Sequence, residues 1–311
     1  MTVVRTEQFQ NVTAVVLENE WIRVKVLPAK GGKLASVYSK PKDFELLFQN
    51  PKPQYGEAKL YSPFEQYEAC GFDDAFPSID AGDVRVGGEY VAYPDHGEIW
   101  SAPFEYCVKE ERVELFCHST ILPYCYTKTI QLDRDSVVCS YEITNTGEVE
   151  FPYLWAFHCL VNYRENMRLI MPEGVEQVEN VCASPLLGAV GEKYRFPTDT
   201  VQGGETGDFR SVLPANPPSY AKYYAVGAVK QGVCGYEYPT EKVRALITYD
   251  AQKLPYLGFW ITTGGFRGDC NCALEPATGY YDSIATAQKN GCCSLLKPNE
   301  TFDFNIKIAL Q

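Results

Sequence analysis

Hydrophobic and polar residues alternate with a period of two along most of this chain. The alternation begins at Asn11–Val26, returns at Phe104–Leu122 and Thr127–Tyr141, and ends with Phe302–Leu310. A period of two places successive side chains on opposite faces of a strand, so each segment is predicted to be a half-buried β-strand. Turns such as Gly31-Gly32 separate the segments. The sequence contains no amphipathic helical pattern longer than a few turns.

Several segments interrupt this alternation and are predicted to be irregular. Residues 50–70 are rich in proline, and residues 172–220 are rich in glycine and proline. Cys70–Ser78 combines glycine, adjacent aspartates and proline, which is typical of neither a strand nor a helix; residues 79–103 form a further irregular region. Because no linker, low-complexity segment or repeat divides the chain, we expect a single all-β domain over residues 1–311, built from large antiparallel sheets.

Charge and hydropathy exclude two classes of partner. The chain carries 40 acidic and 28 basic residues, a formal net charge of −12. An acidic surface repels nucleic acid and anionic membranes, so neither is expected as a partner. No apolar run approaches the roughly 20 residues of a membrane-spanning helix.

The cysteines and the N-terminus predict a cytoplasmic protein. Arg5 and Glu7 stand where the apolar part of a signal peptide would lie, and we expect the twelve cysteines to be mostly reduced core residues. Cys270 and Cys272 are separated by one residue, which is shorter than the usual spacing of structural zinc ligands. We therefore expect no metal there, although Cys292 and Cys293 leave the question open.

The segment Pro94–Trp100 concentrates the candidate chemistry. It contains an imidazole, two carboxylates and an indole within seven residues. His96, His118 and His158 are the three histidines of the chain, and a proton donor near neutral pH must come from a list this short. His118 lies in an alternating segment and is predicted to be structural. The indole of Trp100 offers a flat apolar face that suits the C–H face of a sugar ring.

Motifs of the common catalytic folds are missing from the sequence. There is no nucleophile elbow, phosphate-binding loop, dinucleotide fingerprint or zinc-protease motif. The remaining candidates lie at strand ends and in loops, where a rigid sheet commonly holds functional groups: Asp73, Asp74, His96, Glu98, His158 and Glu275. Taken alone, His158 could equally be a hydrogen-bonded core residue, and Glu275 could simply accept backbone hydrogen bonds.

Together, several short motifs resemble the aldose 1-epimerase (galactose mutarotase-like) superfamily. They are Leu27-Pro28 with Gly31-Gly32-Lys33-Leu34, Gly71-Phe72-Asp73-Asp74-Ala75-Phe76-Pro77, Pro94-Asp95-His96-Gly97-Glu98-Ile99-Trp100, Asn145-Thr146-Gly147, Leu154-Trp155-Ala156-Phe157-His158 and Leu274-Glu275-Pro276. Their order matches from about residue 10 to the C-terminus. They look more like a mutarotase-like branch than like the galactose-specific enzymes. The resemblance implies a β-supersandwich with an open sugar cleft.

The resemblance also implies an activity and a set of site residues. The activity is the interconversion of α and β anomers of an aldose by reversible ring opening. By motif, His158 matches the general acid that protonates the ring oxygen, Glu275 the general base at the anomeric hydroxyl, and His96 a second histidine beside the sugar. The expected substrate is a monosaccharide or simple derivative, with no cofactor or metal, and the protein is expected to be a monomer or homodimer. Residue type and position nominate further substrate contacts at Asp73, Asp74, Glu98, Trp100, Lys222 and Trp260.

The sequence departs from the galactose mutarotases in two respects, and two alternative functions are open. The cleft arginine of galactose mutarotases has no clear counterpart, since the context of Arg85 does not match, and Leu-Glu-Pro is shorter than their glutamate motif; both argue against galactose. One rival is a non-catalytic carbohydrate-binding protein on the same scaffold. The other is a different carbohydrate-active enzyme, such as an isomerase or a hydrolase with paired carboxylates. The mutarotase hypothesis predicts that His158 and Glu275 face each other across a pocket with room for one pyranose.

Overall fold

The computed structural model describes residues 1–212 and 214–311, which fold mainly into antiparallel strands. One six-residue helix, α1 (Ile284–Lys289), and two single-turn 3₁₀ helices, Phe64–Gln66 and Ile99–Ser101, accompany the strands. The strands are β1 (Val3–Phe9), β2 (Val12–Glu18), β3 (Ile22–Leu27), β4 (Lys33–Ser39), β5 (Phe44–Glu45), β6 (Phe72–Ala75), β7 (Gly82–Val86), β8 (Glu89–Tyr93), β9 (Glu105–Lys109), β10 (Arg112–His118), β11 (Tyr124–Asp133), β12 (Ser136–Asn145), β13 (Phe151–Tyr153), β14 (Ala156–Cys159), β15 (Val161–Asn162), β16 (Arg168–Ile170), β17 (Gln177–Asn180), β18 (Lys193–Arg195), β19 (Thr198–Thr200), β20 (Thr206–Asp208), β21 (Tyr220–Ala225), β22 (Val233–Tyr238), β23 (Val243–Tyr249), β24 (Tyr256–Thr263), β25 (Cys270–Ala277), β26 (Ser294–Leu296) and β27 (Thr301–Leu310). The all-β prediction is confirmed.

Two large sheets account for most of the strands. The first has 13 strands in the order β1-β2-β3-β4-β6-β14-β25-β24-β21-β17-β18, with β5 paired to β4 and β15 paired to β25. The second has eight strands in the order β16-β22-β23-β27-β12-β11-β10-β9. The pairings within both sheets are antiparallel, as expected for alternating strands.

The main hydrophobic core draws on strands of both large sheets. On β25, for example, Cys272 and Leu274 belong to this core, and Tyr126 of β11 and Ile306 of β27 contribute to it from the second sheet. The alternate residues of β25, including Glu275, therefore lie on the other face of the first sheet. This one core extends from β2 to β27, and on that basis we propose that the chain is a single domain.

Strand β6 corrects the prediction that Cys70–Ser78 is irregular. It lies inside the first sheet between β4 and β14. Its aspartates can occupy a buried strand because each is paired with a buried lysine: Lys33 Nζ is 2.6 Å from Asp73 Oδ2, and Lys128 Nζ is 2.9 Å from Asp74 Oδ2. A charge-neutralising partner distant in sequence thus overrides the local preference of Gly-Phe-Asp-Asp for a turn.

The other predicted irregular regions are only partly irregular. Residues 79–103 contain the hairpin β7–β8, whose two-residue turn at Gly87-Gly88 has positive φ at both positions. Residues 172–220 contain the short strands β17 to β20 and the first residue of β21. Among the described residues, no helix is long and apolar enough to cross a membrane.

Candidate functional site

A cavity of about 440 Å³ lies on the face of the first sheet that points away from the main core. Its floor is built by four adjacent strands, β14, β25, β24 and β21. The residues that line it are Phe64, Glu65, Ala69, Ile79, Asp80, Asp95, His96, His158, Leu160, Val181, Cys182, Tyr220, Lys222, Trp260, Thr262, Phe266, Asp269, Asn271, Glu275 and Asp282. The volume falls within the range of roughly 300–1,000 Å³ that is usual for small-molecule sites.

His158 and Glu275 are neighbours on the cavity floor. Strands β14 and β15 both pair with β25, through Ala156 with Ala277 and Val161 with Cys272. This register carries His158 to the position opposite Glu275, and both side chains line the cavity. The expected arrangement across a pocket is therefore corrected: because β14 and β25 are adjacent strands, the two residues lie side by side beneath the ligand space.

A buried lysine connects Glu275 to a second carboxylate. Lys222 Nζ lies 3.1 Å from Glu275 Oε2 and 2.7 Å from Asp282 Oδ2. Lys222 is on β21, two strands away from β25, and the intervening position opposite Glu275 is Gly258. A Cβ on Gly258 would lie 3.3 Å from Glu275 Oε2, so the missing side chain leaves room for this contact.

The charges of this cluster shift the pKa of its members. Burial raises the pKa of Glu275 above its ordinary value, and the nearby Lys222 ammonium offsets only part of this rise. Burial acts to lower the pKa of Lys222, but attraction to Asp282 and Glu275 outweighs it, so the pKa of Lys222 is raised. Lys222 therefore stays charged and supports the carboxylate beside it.

His96 enters the cavity from the loop between β8 and Ile99–Ser101. Its backbone has a φ of 56°, and its N–H donates to the Ile79 carbonyl oxygen at 2.6 Å. Its Nδ1 lies 2.7 Å from Asp95 Oδ1, and its ring stacks on Phe64 with centroids 4.0 Å apart. Burial acts to raise the pKa of Asp95, but hydrogen bonds from His96 and the Phe64 N–H outweigh it and lower that pKa.

His158 sits in a more enclosed position next to His96. The ring centroids of the two histidines are 5.0 Å apart, and the Phe64 ring meets His158 edge-on at 5.2 Å. Burial lowers the pKa of His158 well below its usual value, and the positive charges of His96 and Lys222 lower it further. A neutral His158 imidazole is the result near neutral pH.

Three polar atoms of cavity-lining residues are buried without a hydrogen-bond partner among the described residues. They are His158 Nδ1, Asn271 Oδ1 and Glu275 Oε2. The last is close to Lys222 Nζ, but this ion pair lacks hydrogen-bond geometry. An unsatisfied buried polar group costs about 1–3 kcal/mol, so such a group is typical of a site that receives water or a polar ligand.

Aromatic side chains form part of the cavity wall. Trp260 stands on the floor beside Tyr220, with ring centroids 6.2 Å apart, and Phe266 meets it edge-on at 5.6 Å. The indole of Trp260 is half-buried and lines the cavity. Trp100 does not line it, because its indole N–H donates to the Asp95 carbonyl oxygen and its ring packs edge-on against Phe64.

Three further predicted substrate contacts also lie outside the cavity. Asp73 and Asp74 are buried in the lysine pairs described above, and the Tyr141 hydroxyl donates to Asp74 Oδ1 at 3.0 Å. Glu98 is buried too and accepts hydrogen bonds from Ser119 Oγ, the Thr120 N–H and Oγ1, and the Tyr124 hydroxyl. Their expected roles are revised accordingly: these carboxylates are engaged by internal partners and lie outside the cavity, so they support the structure.

Sequence reasoning missed several carboxylates that do line the cavity. Asp80, Asp95, Asp269 and Asp282 are all cavity residues. Asp95 is recognisable from the sequence as a candidate, because it directly precedes His96 in the segment Pro94–Trp100. Asp282 lies beyond the end of β25 in a segment without a motif. Its carboxylate is placed in the cavity by contacts with the Tyr224 hydroxyl and Lys222, which the sequence does not show.

The two cysteine pairs, Cys270 with Cys272 and Cys292 with Cys293, lie toward opposite ends of β25. Cys270 begins this strand, whereas the carbonyl of Cys292 accepts from the Tyr280 N–H beyond its end. Cys293 Sγ contacts the Tyr153 carbonyl oxygen in the same region. An eight-residue strand spans about 26 Å, so the two pairs cannot share one ion.

Comparison with known proteins adds a structural relationship. No protein-family model matches the sequence, and no curated protein matches it either. A galactose mutarotase-like protein from Clostridium acetobutylicum has a similar structure, with a TM-score of 0.73 and 15% identity over 100% of this chain and 98% of that chain. A protein from Synechocystis sp. PCC 6803 gives 0.71 and 15% over 98% of both chains. A candidate aldose 1-epimerase from Escherichia coli K12 gives 0.69 and 12% over 100% of this chain and 99% of that chain. At these identities the similarity establishes the fold alone.

Proposed function

The chain has the galactose mutarotase-like fold, a β-supersandwich. We propose that it is an aldose 1-epimerase acting on a monosaccharide. One observation carries the proposal. Three residues from distant parts of the chain, His96, His158 and Glu275, line one sugar-sized cavity with aromatic walls. Acid–base opening of a pyranose requires one proton acceptor and one proton donor, and a carboxylate and an imidazole can fill these two roles.

The reaction needs two proton transfers and no net change in the enzyme. The Glu275 carboxylate takes the proton of the anomeric O–H while an imidazole gives a proton to the ring oxygen. The bond between C1 and the ring oxygen breaks and C1 becomes a carbonyl. Rotation of the aldehyde and reversal of both transfers close the ring on the other face. Each positioned acid or base typically contributes a factor of about 10²–10⁴.

The surroundings of Glu275 suit a general base. A base works best when its pKa lies near the operating pH, and burial moves the pKa of Glu275 upward in that direction. Lys222 limits this rise in the pKa of Glu275, since its ammonium stabilises the ionised carboxylate. The half-buried Trp260 offers the apolar face on which the C–H groups of a sugar stack.

The charges of the cavity favour an uncharged sugar. Six carboxylates line it: Glu65, Asp80, Asp95, Asp269, Glu275 and Asp282. The lining contains one lysine and no arginine among the described residues, and that lysine is already engaged by Glu275 and Asp282. A phosphate or carboxylate on the substrate would meet repulsion from these groups, and Lys222 is already engaged.

Polarimetry of freshly dissolved aldose anomers tests the proposal. A panel of neutral pentoses and hexoses is followed with the wild type, with Glu275→Gln and with Glu105→Gln, which changes an exposed residue at the start of β9. We expect faster mutarotation of at least one sugar, a loss of about 10²-fold or more in Glu275→Gln, and no change in Glu105→Gln. Sugar binding without acceleration would instead support the non-catalytic alternative, and release of a reducing sugar from a glycoside would support a hydrolase.

A further inference from the structure

The cavity contains two imidazoles, those of His96 and His158, and the proposed reaction needs one proton donor. The rings of His96 and His158 are 5.0 Å apart, and two positive charges at this separation repel each other. A positive charge on one ring therefore disfavours a positive charge on the other. The surroundings of each ring decide which one carries the proton.

His96 has a carboxylate partner and His158 has none. Asp95 Oδ1 lies 2.7 Å from His96 Nδ1, so an imidazolium at position 96 would be paired directly with a negative charge. The Nδ1 atom of His158 is buried without a partner among the described residues. Since an unpaired buried charge is costly, an imidazolium at position 158 would be the less stable of the two.

The carboxylate of Asp95 is held firmly in place. Its Oδ2 accepts the Phe64 N–H at 2.8 Å, while its carbonyl oxygen accepts the indole N–H of Trp100 at 2.9 Å. The His96 N–H is fixed to the Ile79 carbonyl oxygen in addition. Because Nδ1 is engaged by Asp95, Nε2 of His96 is the nitrogen that remains available to a ligand.

We propose that the Asp95–His96 pair, rather than His158, gives the proton to the ring oxygen, and that Asp95 is the positioning residue that fits His96 for this role. The inference rests on the proposed epimerase function and exchanges the roles that family resemblance assigns to the two histidines. In the opening step the His96 imidazolium loses its Nε2 proton to the ring oxygen as the bond to C1 breaks, and Glu275 takes the anomeric proton. Ring closure returns both protons. His158 stays neutral and serves as a hydrogen-bonding partner of the sugar.

The charged groups around His96 come from several elements. Asp95 belongs to its own loop, Asp80 lies in the segment before β7, Glu275 on β25 and His158 on β14. Three of these are carboxyls, and Asp95 alone is in hydrogen-bond contact with the ring. Removing the charge of Asp95 therefore removes the closest stabilising group.

Histidine NMR tests the assignment independently of activity. The chain has three histidines, so selectively ¹⁵N-labelled protein gives three resolvable ring signals, assigned with His118→Gln and His158→Gln. At neutral pH we expect the His96 signal to show an Nδ1 proton hydrogen-bonded to Asp95, and the His158 signal to be that of a neutral ring. In Asp95→Asn the hydrogen-bonded Nδ1 signature of His96 should be lost, whereas Asp83→Asn, an exposed control on β7, should leave it unchanged.

Kinetics on the same variants completes the test. We expect kcat to fall about 10²-fold in Asp95→Asn with KM changed less than threefold, partial recovery in Asp95→Glu, and a loss of less than tenfold in His158→Gln. Circular dichroism and thermal melting check that each variant is folded. If Asp95→Asn does not fold, the comparison of wild type with Asp95→Glu is used instead. An active enzyme in which His158→Gln is dead and Asp95→Asn is unaffected would overturn the inference. If no aldose is converted while the Nδ1 signal of His96 changes as expected in Asp95→Asn, the epimerase function fails and the pairing of Asp95 with His96 stands.

Discussion

Lys222 sets the pH at which the proposed base Glu275 becomes active. Burial raises the pKa of Glu275, and the ammonium 3.1 Å away partly offsets this rise. The base works only when ionised, so the rate falls as the pH drops through that pKa. Replacing the lysine removes the offsetting charge and leaves the carboxylate of Asp282 nearby, so the pKa of Glu275 must rise further.

Lys222→Met is therefore expected to move the acid limb of the kcat/KM profile upward by about one pH unit or more. The rate at the acidic end of the profile should fall more than the rate at the basic end, because high pH still ionises Glu275. Lys307→Met, which changes an exposed lysine paired with Asp133, is the matched control and should leave the profile in place. An acid limb that does not move in Lys222→Met would remove Lys222 from the control of the base.

The pair of Lys128 and Asp74 belongs to stability rather than to ligand binding. Both side chains are fully buried, and the Lys128 ammonium also lies 4.4 Å from the Phe72 ring centroid. In Asp74→Asn this ammonium keeps its burial but loses its counter-charge, which typically costs about 3–5 kcal/mol. Chemical denaturation should show a loss of this size. Asp133→Asn, in an exposed pair, should stay near the wild type, and an equally small effect in Asp74→Asn would contradict this role.

At the scale of elements, the segment between β8 and Ile99–Ser101 positions the histidine. The Glu98 N–H donates to the Phe76 carbonyl oxygen, and the Glu98 carboxylate binds donors on Ser119, Thr120 and Tyr124, between β10 and the start of β11. Gly97 lies against Phe76, where a Cβ would be 2.1 Å from the carbonyl oxygen. These contacts fix the segment to both large sheets, and they thereby fix the position of the His96 ring.

Gly97→Ala is expected to displace this segment and lower both stability and kcat. Its φ is 76°, and the added Cβ meets backbone that cannot yield easily. Gly88→Ala is a matched control, since its φ of 96° carries similar backbone strain while no atom lies within 4 Å of the added Cβ. Thermal melting and mutarotation rates should show a much larger loss in Gly97→Ala. Equal losses in the two variants would mean that the close contact with Phe76 does not matter.

The strands that the sequence predicts correctly are those whose pattern is local. The alternation in Asn11–Val26 and Phe302–Leu310 corresponds to β2, β3 and β27 because one face of each strand meets the core. Strand β6 is missed because its partners Lys33 and Lys128 lie 40 and 54 residues away. Local propensity contains no information on such pairing.

The same distinction applies to the candidate site. His96, His158, Glu275, Lys222 and Trp260 all line the cavity, and their motifs or strand positions are visible in the sequence. Asp73, Asp74 and Glu98 are equally conspicuous carboxylates, but their internal hydrogen bonds become known only from the fold. Asp282 gives no signal, because its proximity to Lys222 depends on the pairing of β21, β24 and β25.

At the scale of the whole molecule, we propose that charge selects the substrate. The chain carries a net charge of −12, and its cavity presents six carboxylates and one engaged lysine. For whichever neutral sugar is turned over best, the 6-phosphate should have a kcat/KM at least about tenfold lower, and added salt should narrow the gap by screening. The uncharged 6-O-methyl ether controls for size. Equal or faster turnover of the phosphate would contradict the electrostatic account.

If acid and base groups around the cavity interconvert sugar anomers, the protein must accelerate the exchange between the α and β forms of an aldose. Two-dimensional exchange NMR of the anomeric protons measures this directly, with the wild type and Glu275→Gln compared at equal concentration. We expect exchange cross-peaks between the α and β signals of a neutral aldose with the wild type, on a timescale where buffer and the variant give none. Identical exchange in wild type, variant and buffer across the aldose panel would contradict this proposal.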